Sequence, residues 1–231
     1  IRRGWNYVAY PLDVQLSVNT ALGFTPTMGD VIKSKDQSSI YYGTWVGQLT
    51  NMIPGQGYMY QSNNSSIMEF NFEYPSTNNR ESTVLNIEAI DYYWNVDAHN
   101  YSGNMTMIAL LETNDEIMQD GYEIAAFANG ECRGTARPVY VESVDAYILV
   151  FTVNGEDVEE LSFKCYDVNT GVEYNLNNRI NYSNDAVVGS IDEPYMFNLD
   201  MLNIGETSVE NISIYPNPTT TGKEINLQAM C

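Results

Sequence analysis

The chain has 231 residues, 44% of them hydrophobic, which suffices for one large or two small cores. Asp and Glu number 30 against 10 Lys and Arg, a net charge of -20 that disfavours nucleic acid and anionic lipid as partners. A single histidine, His99, argues against sites built on several imidazoles, and no apolar run of about 18 residues is present to span a membrane as a helix.

The first block runs from Gly4 to Phe72. WNYVAYPL is a predicted strand ended by Pro11, and SVNTALGF is a short helix closed by Gly23. GDVIKS, SSIYYGTWVGQL, GQGYMYQS and SIMEFNF follow as short β-rich runs divided by Gly, Pro, Asn and Ser. EYPSTNNRES has little apolar content and marks a boundary, so the expected division is a β-rich module over 1–75 and a linker over 76–82.

The second block, 83–203, carries the stronger β signals. NMTMIALLE is a strand, and YEIAAFANGECRGTARPV is a hairpin over Asn129-Gly130, a dipeptide suited to a two-residue type I′ turn. Counting out from that turn pairs Phe127 with Cys132 and predicts that both share the buried face. AYILVFTV then reaches a second expected turn at Asn154-Gly155, and Leu161, Phe163 and Cys165 alternate with Ser162, Lys164 and Tyr166. PYMFNLD is the last strand. About seven short strands with regular turns predict an immunoglobulin-like β-sandwich, so the fold class is all-β throughout. For Cys132 and Cys165 two readings stay open, a pair of buried free thiols or a Cys132–Cys165 bridge.

The tail over 204–231 is polar until VENISIYPNPTTTGKEINL. That stretch resembles the opening of the C-terminal sorting domain carried by cargo of the bacterial type IX secretion system. Ile212, Ile214, Tyr215, Pro216, Asn217, Pro218, Thr219 and Gly222 match the motif residue by residue. Two prolines around Asn217 also block ladder pairing and stiffen the exit from a strand. The resemblance implies export across the outer membrane, a partner in the secretion machinery, and a secreted or cell-surface location. The later strands of such domains are not in this sequence, so the copy is expected to be truncated. GWNYVAYPL, GDVIKSK and PGQGYMYQS, with the β-rich segments after them, resemble modules recurring in large adhesin-like extracellular proteins, which implies no catalytic residues to carry over.

The carboxylates Glu156, Asp157, Glu159 and Glu160 sit together beside an expected turn. A glycosidase needs two carboxylates across a cleft, whereas a hairpin tip offers a solvated edge. Asp167, Asn169, Gly171 and Glu173 resemble a fragment of a calcium loop, with an Asx-type turn as the competing explanation. Calcium is therefore the one cofactor expectation, resting on Asp167, Asn169 and Glu173. No G-x-S-x-G elbow or phosphate-binding glycine loop occurs, and an enzyme is not expected.

Aromatic residues carry the positive case. Tyr41, Tyr42, Trp45, Tyr58, Tyr60 and Trp94 lie beside Asn, Gln and Asp, and exposed rings of that kind stack on sugar faces while hydroxyls find polar partners. The competing explanation is that the tryptophans anchor small cores. The expected function is a non-catalytic, adhesin-like binding protein with a glycan or a host or matrix protein as ligand. The alternative is a structural spacer or accessory module of a larger secreted enzyme.

Overall fold

The computed structural model describes residues 1–74, 91–113, 116–156 and 158–199. The expected linker 76–82 and the sorting motif Tyr215, Pro216, Asn217 and Pro218 lie outside the described residues. The first block forms β1 (Gly4–Ala9), β2 (Leu16–Ser17), α1 (Val18–Ala21), β3 (Val31–Lys33), β4 (Ser38–Tyr41), β5 (Trp45–Gly47), β6 (Asn51–Met52) and β7 (Gly57–Ser62). The helix is the expected one, capped by Ser17, whose side chain accepts from the Thr20 amide at 3.2 Å. Five of these strands make one antiparallel sheet in the order β1-β7-β3-β4-β5, while β2 and β6 pair apart from it.

The rest of the chain forms β8 (Gly103–Thr113), β9 (Glu116–Ile117), β10 (Tyr122–Ala128), β11 (Glu131–Ala136), β12 (Val139–Val141), β13 (Ala146–Gly155), β14 (Glu160–Asp167), β15 (Val172–Asn181), β16 (Val187–Val188) and β17 (Tyr195–Asn198). Two sheets result, β11-β10-β14-β15 and β12-β13-β8-β16, and β17 and β9 also pair with β8. Both β16 and β17 run parallel to β8. The molecule is all-β, and these two sheets face each other as a sandwich.

β8 and β13 show why their sequences are nearly continuous apolar runs. Met105, Met107, Ala109 and Leu111 of β8, with Leu149, Phe151 and Val153 of β13, meet Ile124, Ala126, Leu161, Phe163 and Cys165 of the outer sheet in one core. The alternate residues Ile108, Ile148 and Val150 turn the other way and meet Val31, Ile40, Tyr42 and Val46 of the first sheet in another. A sheet buried on both faces has no polar side, so alternation vanishes from its strands. Three sheets therefore stack as layers. A third core lies on the far face of the first sheet, where Tyr10, Ile32, Tyr58 and Tyr60 pack with α1, Phe70 and Phe72.

Asn129 and Gly130 make the expected two-residue turn, with φ of 53 and 81. Phe127 and Cys132 pair as counted, but their face is corrected. Ala126 and Ala128 take the core positions, and Phe127 points outward beneath Trp94, the ring centroids 5.7 Å apart. Pairing arithmetic fixes which residues share a face, not which face meets the core. The expected turn at Asn154-Gly155 is also corrected: both residues stay in β13, where Gly155 pairs with Gly103. Glycine is required there by the Tyr182 ring, which a Cβ would approach to 2.8 Å.

Cys132 and Cys165 are both free thiols, so no bridge joins them. Cys165 belongs to the core and Cys132 to the outer face. Burial pushes Cys132 up to about 11 and Cys165 up to about 12, and it likewise raises Tyr10 and Tyr42 to about 12. These acids stay neutral in the fold after their unfolded counterparts ionise. Their contribution to stability is complete below the unfolded values and is lost as pH rises through the folded ones. Urea midpoints should therefore hold near neutrality and fall from about pH 9 upward. Peptide mapping at about pH 8 should find both thiols unalkylated by iodoacetamide until urea is added. Rapid alkylation of the folded chain at Cys165 would contradict this.

Candidate functional site

The layer boundary between the first and middle sheets is tied by polar contacts as well as by its core. Thr152 Oγ1 of β13 meets Ser38 Oγ of β4 at 2.9 Å, and Gln48 Nε2 reaches further, to the Thr135 carbonyl of β11 in the outer sheet, at 2.8 Å. Ser143 donates to the Tyr42 carbonyl. At one edge of this boundary a cleft of 610 Å³ opens. Its walls come from β1 and β7 (Tyr7, Val8 and Tyr58), the end of β3 and the turn after it (Lys33 to Lys35), the start of β8 (Ser102 to Asn104), and Asn184 with Asp185.

Strand phase sets the character of each wall. Trp5 and Tyr7 share the boundary-facing side of β1: Trp5 packs beside the boundary core, whereas Tyr7, one pleat further along, is 83% exposed. Val31 and Lys33 share the boundary-facing side of β3, so Lys33 follows Val31 inward and is 2% exposed. Its ammonium donates to Asp185 Oδ1 at 2.6 Å, to Asn104 Oδ1 at 2.9 Å and to the Asn104 carbonyl at 3.2 Å. It also lies 5.0 Å above the Trp5 ring. Burial lowers the Lys33 value, and Asp185 opposes that shift. Asp185 is itself fixed: its φ is 60, and its carbonyl accepts the Trp5 indole N–H at 3.0 Å.

The Asn104 amide is fixed from its other end as well. Nδ2 donates to the Ser34 carbonyl at 3.2 Å and to the Lys35 carbonyl at 2.6 Å. Lys35 is exposed at the rim, beside Ser102 and Asn184. The cleft thus combines one open aromatic face, a rim cation, and hydroxyl and amide groups. Such a mixture suits a polar ligand with one apolar face.

The six aromatics singled out from the sequence do not form a platform. Tyr42, Tyr58 and Tyr60 are 1%, 4% and 0% exposed, so their rings are core. The Tyr60 hydroxyl donates to the buried carboxylate of Asp30 at 2.6 Å, which explains why a polar ring sits at the centre of a core. Tyr41 and Trp45 are half-buried and lie against each other at 5.5 Å. Trp94 lies on the outer sheet, away from the rest, with Tyr93 stacked on Tyr166 at 3.9 Å beside it.

The expected calcium ligands are not gathered either. Asp167 Oδ1 accepts from the amides of Asn169 and Thr170 at 2.9 and 3.2 Å, which is an Asx turn. Glu173 instead pairs with Lys164 at 3.2 Å and accepts from the Tyr93 hydroxyl. Among the described residues no three His, Cys, Asp or Glu side chains come together. Glu156 accepts from the Ser102 amide and hydroxyl, and these bonds hold its carboxyl below the usual range. Glu159 pairs with Arg133 at 2.7 Å. Tyr7, Lys33 and Lys35 were missed at the sequence level. The available signal was Lys33 itself, a lysine two places from Val31 on one strand face.

No family model matches the chain, and no curated protein or solved structure is similar to it.

Proposed function

We propose that this chain is a non-catalytic, adhesin-like binding protein of the cell surface or the secreted fraction, and that it takes a glycan in the cleft between the first two layers. The exposed Tyr7 ring on the rim of that 610 Å³ cleft carries the reading. A sugar ring lays its axial C–H groups on an aromatic face while its hydroxyls reach amides and hydroxyls nearby, here those of Asn184 and Ser102. Lys35 adds a cation and Asp185 a carboxylate to the lining, so the array spans both neutral and acidic sugars. The YPNP motif at Tyr215–Pro218 supports export by the type IX route.

The test is an array of neutral and acidic glycans probed with the purified chain and with Tyr7→Ala. Tyr7 is exposed, so the substitution should leave the fold intact while weakening glycan binding by about tenfold or more. Binding that survives Tyr7→Ala unchanged would remove the cleft from consideration. Silence on every glycan would favour the second reading, a spacer or accessory module. The observation behind that second reading is the continuous three-layer packing, which holds both blocks in one orientation.

A further inference from the structure

We propose that Lys33, Asn104 and Asp185 form a self-modifying site, in which an amide bond forms between Lys33 Nζ and Asn104 Cγ and covalently joins the first sheet to the middle one. The proposal is independent of any glycan in the cleft. It rests on three groups meeting at one nitrogen: Nζ lies 2.9 Å from Asn104 Oδ1 and 2.6 Å from Asp185 Oδ1. A charge clamp would need Asp185 alone. The side-chain amide adds an electrophile to the same contact, and it is held there by backbone carbonyls on its far side. Lys33 and Asn104 are 2% and 6% exposed, so the pair is removed from the water that would compete as nucleophile.

The chemistry balances without any co-reactant. Asp185 takes one proton from the Lys33 ammonium, leaving a neutral amine, the form that burial favours. The Asn104 amide rotates to offer the face of its carbonyl carbon, and Nζ adds to Cγ. The proton then passes from Asp185 to the departing Nδ2, and the Cγ–Nδ2 bond breaks. Nitrogen leaves as ammonia, takes up the second proton released from Nζ, and exits as ammonium through the adjoining cleft. The products are a secondary amide and one ammonium ion, and Asp185 ends as it began. Holding amine and carbonyl together in a rigid boundary replaces a bimolecular encounter with an intramolecular one, which is where the rate gain arises.

The test is the intact mass of the purified full chain. The expected result is a folded protein lighter than its sequence by one ammonia, with a branched peptide joining Lys33 and Asn104 after proteolysis. Asp185→Asn and Lys33→Arg should both return the mass to the sequence value. Wild-type protein at full sequence mass, with separate unmodified Lys33 and Asn104 peptides, overturns the proposal whatever the variants do. A cross-link that persists in Asp185→Asn overturns the proton transfer assigned to Asp185.

Discussion

Glu123→Ala should cost about 3 kcal/mol and release residues 91–94 from the outer sheet. Glu123 is 0% exposed, and its carboxylate serves two masters. It accepts from the amides of Tyr93 and Trp94 at 3.0 and 3.2 Å, and it pairs with Arg137 at 3.1 Å. Arg137 in turn donates to the Asp91 carbonyl at 2.6 Å and lies over the Tyr92 ring. One carboxylate thus organises the whole segment that lays Trp94 onto Phe127. Removing it strands two backbone donors and one cation. Because Arg137 is 31% exposed, its charge can be rehydrated, which places the cost at the lower end for a broken buried pair. Urea unfolding would give the loss, and amide exchange at Tyr93 and Trp94 should accelerate beyond it. Glu123→Gln should cost less, about 1–2 kcal/mol, since it keeps the volume and one acceptor. Unchanged exchange at those amides in Glu123→Ala would show that ring packing alone holds the segment.

Gly189→Ala should be at least as damaging, and a matched control isolates the reason. Gly189 has φ +81, and a Cβ there would lie 2.1 Å from the Ile108 carbonyl oxygen and 2.8 Å from the Tyr195 amide nitrogen. Both are backbone atoms that cannot step aside. The glycine sits between β16 and β17, which lie in turn along the same β8, paired at Thr106–Met107 and Ala109–Glu112. A methyl group would force one of them off. Gly130 has the same φ, +81, yet nothing lies within 4 Å of its Cβ. Gly130→Ala should therefore cost only the left-handed backbone term, about 1–2 kcal/mol. Gly189→Ala should lose more than about 3 kcal/mol or fail to accumulate folded protein. Equal losses from the two substitutions, measured by urea unfolding, would mean that β16 yields without cost.

Local grammar made most strands legible. The Asn129-Gly130 hairpin, the alternation of Leu161, Phe163 and Cys165, and the short capped helix at Ser17 all follow from contacts a few residues apart. The stacking of the first block onto the second was not legible, because a strand buried on both faces differs from other apolar runs only in what lies beyond it. The aromatic site failed for a related reason. Alternation states that Tyr41 and Tyr42 face opposite ways but not which way is inward, and Tyr60 is drawn into the core by Asp30, thirty positions away. Tyr7 went unnoticed because WNYVAY reads as an apolar strand: Trp5 and Tyr7 share one face, and only tertiary packing covers the first ring and leaves the second open.

The parallel pairing of β17 with β8 has a mechanical consequence. Tension that enters the chain ahead of Gly103 and leaves it after Asn198 pulls two codirectional strands toward opposite ends. Such a pull slides one strand along the other, so every rung from Ala109 to Glu112 bears the load at once instead of opening in sequence. One of those rungs joins Phe197 to Leu111, both in the core of the sandwich, where solvent is slowest to replace a broken bond. Pulled from those two points, this part of the molecule is oriented to resist being drawn out.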